Sequence, residues 1–351
     1  SRVPRVSRWR ALTNHLYGFR FGHGEGAAEA QRLVDAKYQP TTQARYLNAW
    51  EAFAAFCDRT ALAAMPAAPE TVVRYVGTYL ASGSAAPDSV ANYLTAIRAV
   101  HLTAGVPSPT DDPLVKTAML GFRRLHVTNA EALPERRAPL PAAVLLAIVR
   151  LGLSTSDPSL QRQCAGTTLA FLMCNRLGAA ANLRARDLAL SPAGFRAQVP
   201  VYKMGILKQG ERLAFRLPVG LGGWAADPAL RLVRRLYLRH YRLGRAPGEH
   251  LFAPRGRAAF VPMPTQVVTS WLRRQLALTG HTPPLGTKWT GHSLRAGAAS
   301  AAYAVGLSVG LICQLMGLSS AKTAFKHYID AQLDNDPAAR KLFSRYAPRR
   351  V

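Results

Sequence analysis

Thr290-Gly-His-Ser-Leu-Arg-Ala-Gly297, answered further along by Phe325-Lys-His-Tyr-Ile329, is the stretch around which the rest of the chain is organised. Both segments read as helical. His292 and Arg295 are three apart, so a helix sets them on one face, aimed at one object. A guanidinium offers a planar fork of donors and an imidazole a proton that moves near neutral pH, a pairing that suits a phosphate. Tyr328 adds a hydroxyl. Cation, imidazole and phenol around a phosphodiester make covalent phosphoryl transfer through tyrosine the chemistry to expect. Taken alone, a His-x-x-Arg pair is also what a solvated helix face presents by chance, so the partners upstream carry the weight.

Charge points the same way. The chain has 351 residues, 45 Lys and Arg against 19 Asp and Glu, and a net charge of +26. A chain this basic is built to meet a polyanion, nucleic acid by default. Residues 1–130 hold 14 basic and 9 acidic side chains, and residues 131–351 hold 31 and 10, so the second part should lie closest to phosphates. Length and a 49% hydrophobic content suffice for two domains with real cores. Cys57, Cys164, Cys174 and Cys313 stand singly in apolar runs without CxxC spacing. They read as small core residues of an intracellular protein, with no metal site and no disulfide framework. No run reaches transmembrane length and no signal peptide is visible, so no membrane is expected. The chain begins at Ser1 without Met, as a fragment or processed chain would.

Residues 1–40 read as a basic N-terminal arm and 41–127 as a helical domain. In its first helix, Thr41 to Asp58, residues Tyr46, Trp50, Phe53 and Cys57 make one apolar stripe. Glu70–Leu80, a helix from Asp88 to Ala104 and one from Asp111 to His126 follow, punctuated by Pro66, Pro69, Pro87, Pro107 and Pro109. Residues 128–141, with Pro134, Pro139 and Pro141, read as a linker. Beyond it, Ala142–Leu153 and Ser159–Cys174 are apolar helices, and Phe195–Tyr202 with Arg212–Leu217 alternate like the arms of a β-hairpin. Pro228–Leu243, Thr265–Leu278 and Val309–Leu318 read as helices, and Ala338–Tyr346 as a last short one.

With these elements in order, the chain resembles the tyrosine recombinase (phage integrase) family over residues 41–346, its Cre-like members above all. Trp50-Glu-Ala-Phe-Ala-Ala-Phe-Cys57, Pro69-Glu-Thr-Val-Val-Arg-Tyr75 and Leu102-Thr-Ala-Gly-Val-Pro-Ser-Pro109 are similar to the family's core-binding domain. Arg176, with Arg184 and Asp187 after it, looks like the first arginine box, and Lys203 falls where the family keeps its catalytic lysine. His292-Ser-Leu-Arg295 looks like the His-x-x-Arg box and Tyr328 like the nucleophile. The wording around His292 is also similar to recombinases of eukaryotic mobile elements of the DIRS and Crypton type.

The resemblance implies a mainly α protein: a helical core-binding domain, then a mixed α+β catalytic domain (142–330) with a small hairpin sheet, and a tail (331–351) for subunit exchange. It implies a site-specific DNA recombinase working without cofactor or metal. Its partners would be double-stranded DNA and copies of itself, two per site and four per synapse. Arg176, Lys203, His292, Arg295 and Tyr328 would be catalytic, Lys208 standing second to Lys203. Arg98, Arg124, Arg184, Lys208 and Arg273 are candidate DNA contacts, and the helices around Asn92–Arg98 and Thr265–Leu278 candidate readers of sequence. Two positions depart from the family. Ala179 stands where an acid is usual, and Leu318 where His or Trp donates a hydrogen bond. Ser319, Lys322 or His327 would have to replace that donor, and losing one such donor typically costs about 10²–10³ in rate. The alternative is a weakened or inactive relic that only binds DNA.

Overall fold

The structure is a computed structural model. It describes residues 36–128, 136–200, 212–219, 223–254, 260–318, 320–329 and 337–343, with a few isolated positions before 36. The chain divides into two compact units, residues 1–133 and 134–351.

Unit 1 is built from α1 (Pro40–Arg59), α2 (Pro69–Ser82), α3 (Pro87–Thr103) and α4 (Pro113–Thr128). The first three open on proline at the first helical position, where its missing N–H costs nothing. Gly83 closes α2 in the left-handed conformation (φ 61°). The α1 stripe is buried as its spacing predicts, and Phe53 and Phe56 each lie 5.2 Å from the Tyr75 ring of α2. The expected start at Asp111 is not where α4 begins. Pro109–Asp111 instead makes a 3₁₀ turn capped by the Ser108 hydroxyl, and Asp112 Oδ1 accepts from Leu114 N (2.7 Å) to start the helix at Pro113.

His101 of α3 is fully buried beside Trp50. Its Nε2 accepts from Ala67 N (3.1 Å) while Nδ1 donates to the Ile97 carbonyl (2.9 Å), which requires the neutral ring. Burial holds its pKa below the ordinary 6.5. The unfolded chain therefore takes up a proton that the folded chain refuses. Stability is full above about 6.5 and falls as the pH drops below it. Melting temperatures taken from pH 7.5 down to 5.5 should decline in the native chain and decline less in His101→Gln; equal declines would mean that this ring does not titrate on unfolding.

Unit 2 buries a core around α5 (Ala142–Ser154), α6 (Pro158–Leu172), α9 (Pro228–Arg242), α10 (Thr265–Thr279) and α11 (Gly291–Ala304). Between α6 and α9 come the short α7 (Leu177–Ala181), an antiparallel sheet and the single turn α8 (Gly223–Ala226). The sheet joins β2 (Leu188–Ser191), β3 (Gly194–Pro200) and β4 (Arg212–Pro218). The hairpin arms expected from alternation are β3 and β4, paired from Gly194↔Pro218 to Pro200↔Arg212. β2 is an addition, too short to show a period. Its tight turn into β3 needs Gly194, where a Cβ would stand 2.1 Å from the Leu217 carbonyl oxygen.

The arginines of α9 have structural work. Arg235 donates to the Leu153 carbonyl at the end of α5, Arg239 to Gln161, Arg231 to the Ala225 carbonyl, and Arg234 lies 5.0 Å over the Trp224 ring. The expected linker divides. Residues 129–135 lie outside the described residues, while 136–141 are built into unit 2. There β1 (Arg136–Arg137) pairs in parallel with β5 (Thr287–Lys288), and Leu140 is fully buried. After α11 come α12 (Val309–Met316), α13 (Ala321–His327) and α14 (Pro337–Phe343). Helix α14 packs on its own unit, its Phe343 ring 5.9 Å from Phe171. Among the described residues no helix is long and apolar enough to cross a membrane, and no His, Cys, Asp and Glu group is set to hold a metal.

Candidate active site

Helix α6 ends where Cys174 enters the left-handed region (φ 48°), a conformation unusual without glycine. The chain turns there, Asn175 Oδ1 accepts from Arg176 N (2.7 Å), and Arg176 becomes the exposed N-cap of α7. Asn182, at the other end of α7, ties it to the approach to α10: its Oδ1 accepts from Met263 N (2.7 Å) and its Nδ2 donates to Met263 O (3.3 Å).

The second guanidinium comes from α11. Thr290 and Ser293 form a reciprocal cap at its start. Three residues apart, His292 and Arg295 nonetheless differ in depth: His292 is exposed and Arg295 is 2% exposed. Arg295 Nη2 donates to the Met316 carbonyl (2.6 Å), the negative end of α12, which Gly317 closes. Its buried Nε has no hydrogen-bond partner among the described residues. Burial, and next the positive charge of Arg176, lower the Arg295 pKa, with Tyr328 and Cys174 opposing.

Tyr328, half-buried, caps the end of α13. Its N donates to the Ala324 carbonyl (2.9 Å) and its own carbonyl accepts from Ser300 Oγ of α11 (3.1 Å). Those two bonds hold its ring with the Arg295 guanidinium carbon 5.1 Å from the centroid. A cavity of about 460 Å³ opens beside it, lined by His292, Lys326, His327 and Tyr328 and, opposite in sequence, by Arg137 to Pro139.

The structure thus brings His292, Arg295 and Tyr328 together, with Arg176 near enough for its charge to act on Arg295. Lys203, Lys208 and Ser319 lie outside the described residues. Arg184 is half-buried, its N donating to the buried Asp187 carboxylate (3.0 Å). Arg273 is exposed on α10, and Arg98 and Arg124 are exposed on unit 1, where Arg98 pairs with Asp111 at 2.9 Å. Ala179 and Leu318 both pack against the core. Of the candidates for the missing donor, Lys322 is exposed, and the His327 ring centroid lies 6.4 Å from that of Tyr328. Sequence reasoning missed Ser300 and Arg137. Ser300 carries no signal among the alanines of α11, and Arg137 stood in a stretch read as linker.

No protein-family model matches the chain. An integrase/recombinase xerD homolog of Selenomonas ruminantium is 23% identical over 323 residues, covering 90% of this chain and 89% of the relative. The chain is thus similar over nearly its whole length to an integrase/recombinase. Solved site-specific recombinases and integrases share its fold at low identity. The XerH site-specific recombinase bound to palindromic difH substrate in a post-cleavage complex superposes with a TM-score of 0.57 at 11% identity, covering 94% of this chain and 93% of that one. A lambda integrase dimer bound to a COC' core site gives 0.52 at 16%, covering 96% and 83%. The mainly helical architecture with a small three-stranded antiparallel sheet is the fold that the chain shares with these structures.

Proposed function

We propose that the protein is a site-specific DNA recombinase that cuts and rejoins DNA through a 3′-phosphotyrosyl intermediate. The observation that carries this reading is the Arg295 guanidinium set over the Tyr328 ring, with Arg176 close enough for its charge to act on Arg295. Two cations held near each other repel, and among the described residues the buried Arg295 Nε has no acceptor. An anion between them relieves both costs.

In the proposed reaction Arg176 and Arg295 hold the non-bridging oxygens of the scissile phosphate and stabilise the charge of the transition state. Tyr328 Oη attacks phosphorus, and the bond from phosphorus to the 5′-oxygen breaks. His292 takes the phenolic proton as general base, since a neutral hydroxyl is a weak nucleophile. Lys203 supplies a proton to the leaving 5′-oxygen. The 5′-hydroxyl of a second strand then attacks the same phosphorus and releases the tyrosine. One phosphoester replaces another at each step, so the cycle balances without nucleotide hydrolysis. His327, beside Tyr328, is the proposed replacement for the donor absent at Leu318.

Strand exchange needs two copies on a site and four in a synapse. Lambda integrase is described as a dimer on a core site and as a tetramer on a Holliday junction, and the same assemblies are proposed here. Exchange of α14 between copies would place Leu342 and Phe343, buried in cis, against a neighbour. Such an enzyme would act inside the cell, on DNA.

A duplex nicked just beyond the cleavage point tests the reading, since the short 5′-hydroxyl fragment diffuses away and strands the intermediate. A protein–DNA adduct that survives denaturation is expected, leaving free 5′-hydroxyl ends. No adduct, where a control recombinase gives one on its own site, would leave a protein that only binds DNA.

A further inference from the structure

We propose that Arg137 is a ligand for a DNA phosphate next to the one that Tyr328 attacks, so that the first residues of unit 2 form a wall of the active site. The inference rests on the recombinase reading, but its test does not depend on the chemical step.

The backbone of this segment is fastened along the start of α11. Arg136 and Arg137 pair with Thr287 and Lys288. Ala138 N donates to the Lys288 carbonyl (3.3 Å), and Leu140 N to the Ser293 carbonyl (2.9 Å). At Gly297 a Cβ would stand 2.0 Å from the Leu140 carbonyl oxygen, so only glycine lets the segment lie this close to α11. The backbone of Arg137 is thereby fixed opposite Lys288, just ahead of α11.

Its side chain is exposed on the wall of the cavity that holds His292 and Tyr328. Among the described residues no hydrogen bond or ion pair engages that guanidinium, whereas Arg98, Arg235, Arg239, Arg245 and Arg274 are all tied to protein acceptors. Among the described residues no acidic side chain lines the cavity, and Lys326 adds a second cation. Phosphates follow each other at about 3.4 Å of axial rise per strand, so a strand offering one phosphate to Tyr328 carries its neighbours past the wall. A planar cation fixed by its backbone and left without a protein acceptor is suited to hold one of them.

The test is the salt dependence of non-covalent binding, measured with the full chain carrying Tyr328→Phe on a generic duplex of about 30 base pairs, long enough to cover more than the phosphates held at the site. Each phosphate contact contributes about 0.9 to the slope of log K against log [KCl]. Adding Arg137→Gln should shallow the slope by about that amount, and Arg137→Lys should restore it. An unchanged slope in Arg137→Gln would overturn the proposal. A shallower slope in a protein that forms no adduct on any substrate would uphold the Arg137 contact while removing the recombinase reading.

Discussion

Tyr328→Phe will leave no covalent protein–DNA complex on a nicked duplex, while binding the same duplex as the native chain does. The substitution removes one oxygen and, with it, the side-chain hydrogen bond from Arg295. The ring stays packed against the core, the Ser300 bond to the residue 328 carbonyl is a backbone contact, and the ring remains beside Arg295. Fold and affinity are therefore expected to persist, and the loss falls wholly on the chemical step. A residual adduct in Tyr328→Phe at more than background would transfer the nucleophile to another hydroxyl. Tyr303, which lies edge-on to Phe325 with ring centroids 5.7 Å apart, would be the first alternative.

Arg295→Met separates stability from activity. A guanidinium 2% exposed, without an ion pair among the described residues and lowered in pKa by burial and by Arg176, is held at a cost to the fold. Burying an uncompensated charge costs several kcal/mol, whereas its bond to the Met316 carbonyl returns about 1.5–3 kcal/mol. An unbranched apolar side chain of similar length removes the first and forfeits the second. The melting temperature of Arg295→Met should match or exceed that of the native chain. The single-turnover rate of adduct formation should fall by about 10²–10³, the usual effect of deleting one transition-state donor. Unaltered cleavage would show that the phosphate is held elsewhere, and a collapsed melting temperature would show Arg295 to be a structural residue.

What the sequence disclosed and what it hid divide along a physical line. The helices of unit 1 were legible because period and punctuation are local: the Tyr46, Trp50, Phe53 and Cys57 stripe and the prolines at helix starts need no knowledge of distant residues. Two strands of the sheet were legible for the same reason, and β2 was not, because Leu188–Ser191 is too brief for alternation to register. At the site, the spacing of His292 and Arg295 gave a shared face but not depth. Depth depends on Met316 and Tyr328, brought over α11 by two later helices. The stretch from Arg136 to Pro141 looked like a linker because prolines erase periodicity. What orders it is a partner more than a hundred residues away, and that partnership leaves no local trace. Nor does local sequence show that four arginines of α9 meet carbonyls, an amide and an indole of their own unit.

The proposed reaction requires that the Tyr328 oxygen become bonded to phosphorus held between Arg176 and Arg295. Peptide mapping by mass spectrometry of a nuclease-trimmed adduct reads this directly. The expected result is a nucleotide 3′-phosphate mass on the peptide containing Tyr328, present in the native chain and absent from Tyr328→Phe. A nucleotide found on any other residue, with the Tyr328 peptide unmodified, would contradict it.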